Sequence, residues 1–159
     1  MSYEGLIQKL IDSGVEFIII GGWSAILHGS SYMTLDLDLC YSRNSANLKR
    51  LAAVLAPYHP RLRDLPPDLP FIWDDVTLRN GSVFTLTTDI GEIDLLAEVG
   101  GVGDYSQAMT KSVRKRSWGR DVWTLDLPAL IESKRAAGRA KDLWIIPELE
   151  ALLEAQEPE

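Results

Sequence analysis

Two aspartates separated by one residue, Asp36 and Asp38, stand in the run Thr34-Leu35-Asp36-Leu37-Asp38-Leu39-Cys40-Tyr41. In an extended chain, alternate side chains share a face, so both carboxylates point one way, ~7 Å apart, and the leucines point the other. Two carboxylates on one surface repel, and partial burial adds to the conflict. A hard divalent cation resolves it, because Mg²⁺ favours carboxylate oxygens together with water and substrate phosphates. The alternative is a pair of solvated carboxylates on the open face of a sheet. A second run, Gly91-Glu92-Ile93-Asp94-Leu95-Leu96, repeats the alternation. If its strand lies beside the first, Asp94 joins Asp36 and Asp38, and three oxygen ligands from two strands suit a two-metal phosphoryl-transfer site. Glu92 competes with Asp94 for that third position; its other reading is a charge at the end of a hairpin.

A third element is the pair Gly21-Gly22, which follows an apolar run and precedes a short helical stretch. Such a turn points free N–H groups and the positive helix end at one spot, and glycine lets a phosphate approach the backbone. A tight strand-to-helix connection explains two glycines equally well.

The surrounding pattern supplies elements to hold these residues. Leu6, Ile7, Leu10 and Ile11 predict an amphipathic helix over 4–12, closed by Ser13-Gly14. Residues 15–20 read as a strand buried on both faces. A short helix over 23–28 ends at Gly29. The aspartate strand covers 34–41, with Leu35, Leu37 and Leu39 all inward. Asn44 or Ser45 caps a helix over 46–56. Five prolines between 57 and 70 predict a loop, either decoration or part of a substrate cleft. Trp73-Asp74-Asp75 reads as a turn. Two hairpins follow, 83–88 with 92–98 and 113–118 with 122–125. Pro128 opens a helix over 129–137, Gly138 interrupts it, and a last helix runs over 140–155, with Pro147 starting a new segment or kinking it. The expected fold is α+β with α/β-like order: a small mixed β-sheet, helices packed on it, and C-terminal helices. One domain over 1–155 is expected, with a frayed tail at 156–159.

Charge bears on the partners. The chain carries −7 overall, which argues against tight non-specific binding of nucleic acid. Residues 111–141 nevertheless hold nine basic side chains against three acidic ones. That segment is either a solvated face or a basic wall around a polyanion. The single cysteine, Cys40, sits in an apolar run and reads as a buried, reduced thiol, which with the absence of a signal-like N-terminus leads to a cytoplasmic expectation. No apolar stretch is long enough for a membrane span. His28 and His59 form no ligand cluster, and His28 reads as a cap or surface residue. The five tryptophans read as core or cleft packing. Gly101-Val102-Gly103 lacks the third glycine and helix of a dinucleotide loop.

Taken together, an apolar strand, Gly21-Gly22-Trp23-Ser24-Ala25, then Thr34-Leu35-Asp36-Leu37-Asp38 and a later Ile93-Asp94-Leu95 resemble the fingerprint of the polymerase-beta-like nucleotidyltransferase superfamily. The likeness is closest to small prokaryotic minimal nucleotidyltransferases and AbiEii-like proteins, whose C-terminal Arg-x-Lys-Asp is matched by Arg139-Ala140-Lys141-Asp142. The resemblance implies a nucleotidyltransferase fold and transfer of a nucleoside monophosphate from a triphosphate such as ATP to an RNA end, a protein hydroxyl or a small molecule. Asp36, Asp38 and Asp94 would hold two Mg²⁺ ions, with Mn²⁺ as a substitute, and Asp94 would help deprotonate the acceptor. Gly21 and Gly22 would bind phosphates, with Ser24 as a substitute hydroxyl. Lys134, Arg139 and Lys141 would neutralise phosphate charge. A helical partner protein often completes such sites in this superfamily, so the other expectation is a weakly active or inactive binding module, as in a toxin–antitoxin pair. Two positions depart from the pattern: Gly22 stands where the superfamily often has serine, and Tyr32 where close relatives often have arginine.

Overall fold

The computed structural model describes residues 1–156; of the tail expected at 156–159, Gln156 ends the last helix and 157–159 lie outside the described residues. Seven strands form one mixed sheet: β1 (Phe17–Ile20), β2 (Asp36–Tyr41), β3 (Arg61–Leu62), β4 (Val83–Thr88), β5 (Gly91–Leu96), β8 (Ser112–Ser117) and β9 (Arg120–Leu125). Their order across the sheet is β3-β4-β5-β2-β1-β9-β8. The β2/β5 and β1/β9 pairs are parallel and the others antiparallel. A separate ribbon pairs β6 (Glu98–Val99) with β7 (Gly103–Asp104). The expected mixed sheet with packed helices is present.

The central strands are buried on both faces because helices cover both. On one face Leu37, Leu39 and Tyr41 of β2, Ile93 and Leu95 of β5 and Phe84 and Leu86 of β4 meet α1 (Tyr3–Asp12) and α3 (Ser45–Leu55). On the other, Ile18, Ile20, Cys40 and Leu125 meet α2 (Gly21–Leu27), α5 (Tyr105–Met109), α6 (Leu127–Ala137) and α7 (Ala140–Gln156). This second layer stops short of β3 and β4, so Val83, Thr85 and Thr87 remain exposed there. The uncovered strip becomes one side of a cleft.

Local chemistry fixes the helix ends. Asn44 and Asp126 cap α3 and α6 by accepting from the backbone N–H of Asn47 and Ala129. Gly138, at φ +67°, ends α6 in the left-handed conformation and lets α7 turn back against it.

Several expectations need correction. The proline-rich segment is not all loop: Arg61-Leu62, free of proline, pairs with Thr87 and Leu86 as the sheet's edge strand, a position proline-flanked chain tolerates. Trp73-Asp74-Asp75 is no simple turn, because Asp74 caps α4 (Asp75–Arg79). Leu35 does not point inward: the strand begins at Asp36, and Leu35 is 89% exposed. Trp144 packs in neither core nor cleft and is 84% exposed. His28 caps α2 but is buried, its Nε2–H donating to Leu125 O over 2.7 Å; burial lowers its pKa. Pro147 lies inside α7 without starting a new segment. Cys40 is buried as expected, and burial pushes its thiol up to about 12, which makes it inert. Among the described residues no helix is long and apolar enough to cross a membrane.

Candidate active site

The parallel β2/β5 register places Asp38 beside Asp94 and Asp36 beside Glu92. Neighbouring strands lie about 4.8 Å apart, and paired residues share a face. The carboxylates therefore converge, and the reading of Asp36 and Asp38 as isolated, solvated charges does not describe this surface. Leu37, Leu39, Ile93 and Leu95, all fully buried, lock the strands in this register, since a slip of one residue would turn every leucine outward.

Asp38 carries the largest electrostatic conflict. Burial first, then the Asp94 and Asp36 charges, push its carboxyl up to about 7. Its Oδ1 is buried with no hydrogen-bond partner. Its Oδ2 packs against Gly21, where an added Cβ would lie 2.3 Å away. Gly21 also sits at φ +65°, so both space and backbone require glycine there. An enclosed carboxylate oxygen without a donor, beside two further carboxylates, is the arrangement a divalent oxygen-seeking cation satisfies. Among the described residues no three acidic, histidine or cysteine side chains are placed to hold a metal ion together. Magnesium held against substrate phosphates needs only one or two protein carboxylates, so this open arrangement fits it.

Asp94 is turned toward an arginine. Arg63 Nη2 donates to Asp94 Oδ1 over 2.6 Å, and its Nε lies 3.2 Å from Glu92 Oε2. Arg63 reaches the site because its own N–H bonds Thr85 O, extending the β3 edge by one residue. Sequence reasoning missed it; the only signal was a basic residue in a segment already suspected of lining a cleft.

The facing wall comes from α6 and α7. A cleft of ≈ 390 Å³ is lined by Gly21, Asp38 and Asp94 on one side and by Lys134, Arg139 and Asp142 on the other. Asp142, 1% exposed, accepts from Arg139 Nε over 2.6 Å and pairs with Lys134 Nζ at 3.6 Å. Burial alone would raise the Asp142 carboxyl, but Arg139 and Lys134 outweigh it and hold it below the usual range. Burial lowers the Lys134 ammonium against the pull of Asp142 and Asp38. Asp142 was not among the predicted site residues, although it ends the quoted Arg139-Ala140-Lys141-Asp142 motif. Lys141 is exposed and outside the cleft lining, on a different helix from Lys134, yet its charge still reaches Asp38.

Two expected phosphate ligands are displaced. Ser24 is fully buried and accepts from Thr124 Oγ1, because the fourth position of α2 faces the sheet. Gly22 is covered: an added Cβ would lie 2.8 Å from both Thr34 Cβ and the Tyr32 ring. Tyr32 in turn lies under Lys134, with Nζ 5.8 Å from the ring centroid. The two departures, Gly22 and Tyr32, are thus one packing unit. The ring fills the space a side chain at 22 would need.

No family model matches the sequence, and a search of curated proteins finds no significant match. Solved structures do match. The lincosamide antibiotic adenylyltransferase LnuA, solved with lincomycin bound, aligns over 93% of this chain and 94% of its own at TM-score 0.61 and 14% identity. A proposed nucleotidyltransferase of Thermotoga maritima aligns over 92% and 89% at 0.57 and 11% identity. An antigenic nucleotidyltransferase-like protein of Paracoccidioides brasiliensis aligns over 98% and 75% at 0.56 and 17% identity. The chain has the nucleotidyltransferase fold. Within that fold, the convergent aspartates lie on neighbouring strands at the sheet centre, and the cationic wall comes from the C-terminal helix pair.

Proposed function

We propose that this chain is a magnesium-dependent nucleotidyltransferase that moves a nucleoside monophosphate from a triphosphate to an acceptor hydroxyl. The observation that carries the reading is Asp38: an enclosed, partnerless carboxylate in register with Asp94, one residue from Asp36, facing Lys134 and Arg139 across a cleft. Asp36, Asp38 and Asp94 would hold magnesium, or manganese in its place, which supplies neutralisation of the triphosphate oxygens when bound.

The chain's own residues do the rest. Gly21 gives the phosphates close access to the backbone, while Lys134 and Arg139, pre-set by Asp142, balance phosphate charge from the opposite wall. Lys141 adds a more distant positive charge. The acceptor oxygen attacks the α-phosphorus, the bond to pyrophosphate breaks, and Asp94 takes the hydroxyl proton. Arg63 holds Asp94 in one orientation from the β3 edge. Positioning and charge balance supply the rate enhancement. The likeness to an antibiotic adenylyltransferase supports ATP as the donor. Incubation with α-labelled nucleoside triphosphates, Mg²⁺ and cell extract should transfer label, and Asp36→Asn should abolish it. Label transfer that survives Asp36→Asn, or none with any triphosphate, would sink the proposal.

A further inference from the structure

The cleft does not end at the carboxylates. Beyond Asp94 it continues along the uncovered strip of the sheet, between Val83 and Leu96 on one side and Val99, Gly100, Ala136 and Ala137 on the other. Val83 is 59% exposed, although it sits on a strand whose alternate residues are core. A broader groove of ≈ 700 Å³ shares Val83, Val99 and Gly100 and adds Glu98 and Gln107. One end of the cleft is therefore cationic, the middle acidic, and the far end apolar with an acidic rim.

This sequence of surfaces separates two ligands. A triphosphate belongs at the cationic end. The apolar end adjoins Asp94, the group assigned the acceptor's proton. Its surroundings carry Asp94 on one side and Glu98 on the other. The basic run Arg114-Lys115-Arg116 lies on β8, the opposite edge of the sheet from β3 and β4. On the near edge Arg63 is already engaged by Asp94 and Glu92, and among the described residues the ≈ 700 Å³ groove is lined by no lysine or arginine, so a polyanionic acceptor meets no basic track along it and is repelled by Glu98. We infer that the acceptor is a small hydroxylated molecule, neutral or cationic, whose apolar face lies on Val83, Val99 and Ala136, and not an RNA end. This rests on the transfer reading above. A concave wall with few polar groups beside a reactive carboxylate is the usual form of a small-molecule site.

The test uses three probes on the full chain: hexyl β-D-glucopyranoside (neutral), hexyl β-D-glucuronide (anionic) and a short single-stranded RNA with a free 3′-hydroxyl. Methyl NMR of Val83, Leu96 and Val99 reads binding. The expected result is a saturable shift with the glucopyranoside and at least about tenfold weaker binding of the glucuronide. Ala136→Trp, at an exposed helix position beside Gly100, should weaken the glucopyranoside by a similar factor. Val83→Ser, a milder change on the same wall, should weaken it by about threefold. Unmoved methyls, equal affinity for the two glycosides, or RNA as the tightest ligand on these methyls would overturn the inference. Calorimetry with Mg²⁺ and a non-hydrolysable triphosphate reads the transfer proposal separately. Triphosphate binding with label passing to RNA keeps that proposal and removes this one; absent triphosphate binding removes the transfer proposal while the glycoside titration still reports on the cleft.

Discussion

Asp38 on β2 and Asp142 on α7 face each other across one cleft, and both sit in buried surroundings. Asp142 has Arg139 and Lys134 against it and is held in its charged form. Asp38 has Asp94 and Asp36 beside it, whose charges and its own burial outweigh the pull of Lys134 and Lys141, and its enclosed oxygen has no donor. The helical wall is complete in the chain alone. The sheet wall is complete only with something positive added. Removing an aspartate should therefore have opposite consequences on the two walls.

Asp38→Asn tests the unsatisfied wall and should have the largest effect on activity, a loss of roughly 10²–10³-fold or more in transfer rate. Stability should move the other way. The folded carboxyl titrates at about 7, above its ordinary 3.8. Between those values the unfolded chain has lost a proton that the folded chain keeps, so rising pH destabilises the wild type across that window. In metal-free buffer above about pH 7, Asp38→Asn should be more stable than wild type by on the order of 2 kcal/mol, and the gain should vanish below about pH 4. Thermal scans in chelator across this range check it; a variant less stable at every pH would refute the conflict ascribed to Asp38. Protonation of Asp38 should also weaken Mn²⁺ binding as pH falls below about 7, by up to about tenfold per unit.

Asp142→Asn tests the satisfied wall. It leaves the buried Lys134 ammonium without its counter-ion and should destabilise the fold by about 3 kcal/mol at neutral pH. Urea unfolding measures this, and triphosphate affinity should fall with it because Lys134 and Arg139 lose their fixed positions. If Asp142→Asn stabilised the chain as Asp38→Asn does, the contrast between the walls would fail.

Gly22 and Tyr32 join the walls, since the Tyr32 ring touches the α2 turn and lies beneath Lys134. Gly22→Ser should cost about 1–3 kcal/mol through overpacking, and Tyr32→Ala should recover part of that cost in the double variant. Additive losses in the double-mutant cycle would show that the two positions pack independently.

These contrasts explain what could be read from the chain. Strict alternation in Asp36–Tyr41 and Gly91–Leu96 marked two faces, and folding kept them, so the carboxylates were legible before any tertiary detail. The Asn44 cap and the Pro128 helix start are local chemistry and were equally visible. Ser24 was misplaced because a helix of seven residues gives too little periodicity to show which side faces Thr124. Asp142 carried no mark of its own, because its partnership with Lys134 depends on the chain reversing at Gly138. Leu35 satisfied the alternation but lay one residue outside the hydrogen-bonded strand.

Arg63 is the hardest case and offers the smallest expected effect. It bonds Asp94 across 31 positions of sequence, from a proline-rich segment with no periodic pattern. The pair is about a quarter exposed on each side, so its net stabilisation should be at most about 1 kcal/mol. Its value lies in placing a positive charge against Asp94 and Glu92. Arg63→Gln should leave urea stability almost unchanged. It should tighten Mn²⁺ binding by about two- to fivefold, because the cation no longer meets a guanidinium already on Asp94. Transfer should nevertheless slow, since Asp94 loses the contact that fixes its orientation. Arg63→Lys should restore part of the rate, but not the paired contact with Glu92 and Asp94 that a planar guanidinium makes. Tighter metal binding with slower transfer would separate a positioning role from a structural one; weaker metal binding in Arg63→Gln would mean that Arg63 helps to build the sheet wall and that the contrast between the walls is smaller than Asp38 alone suggests.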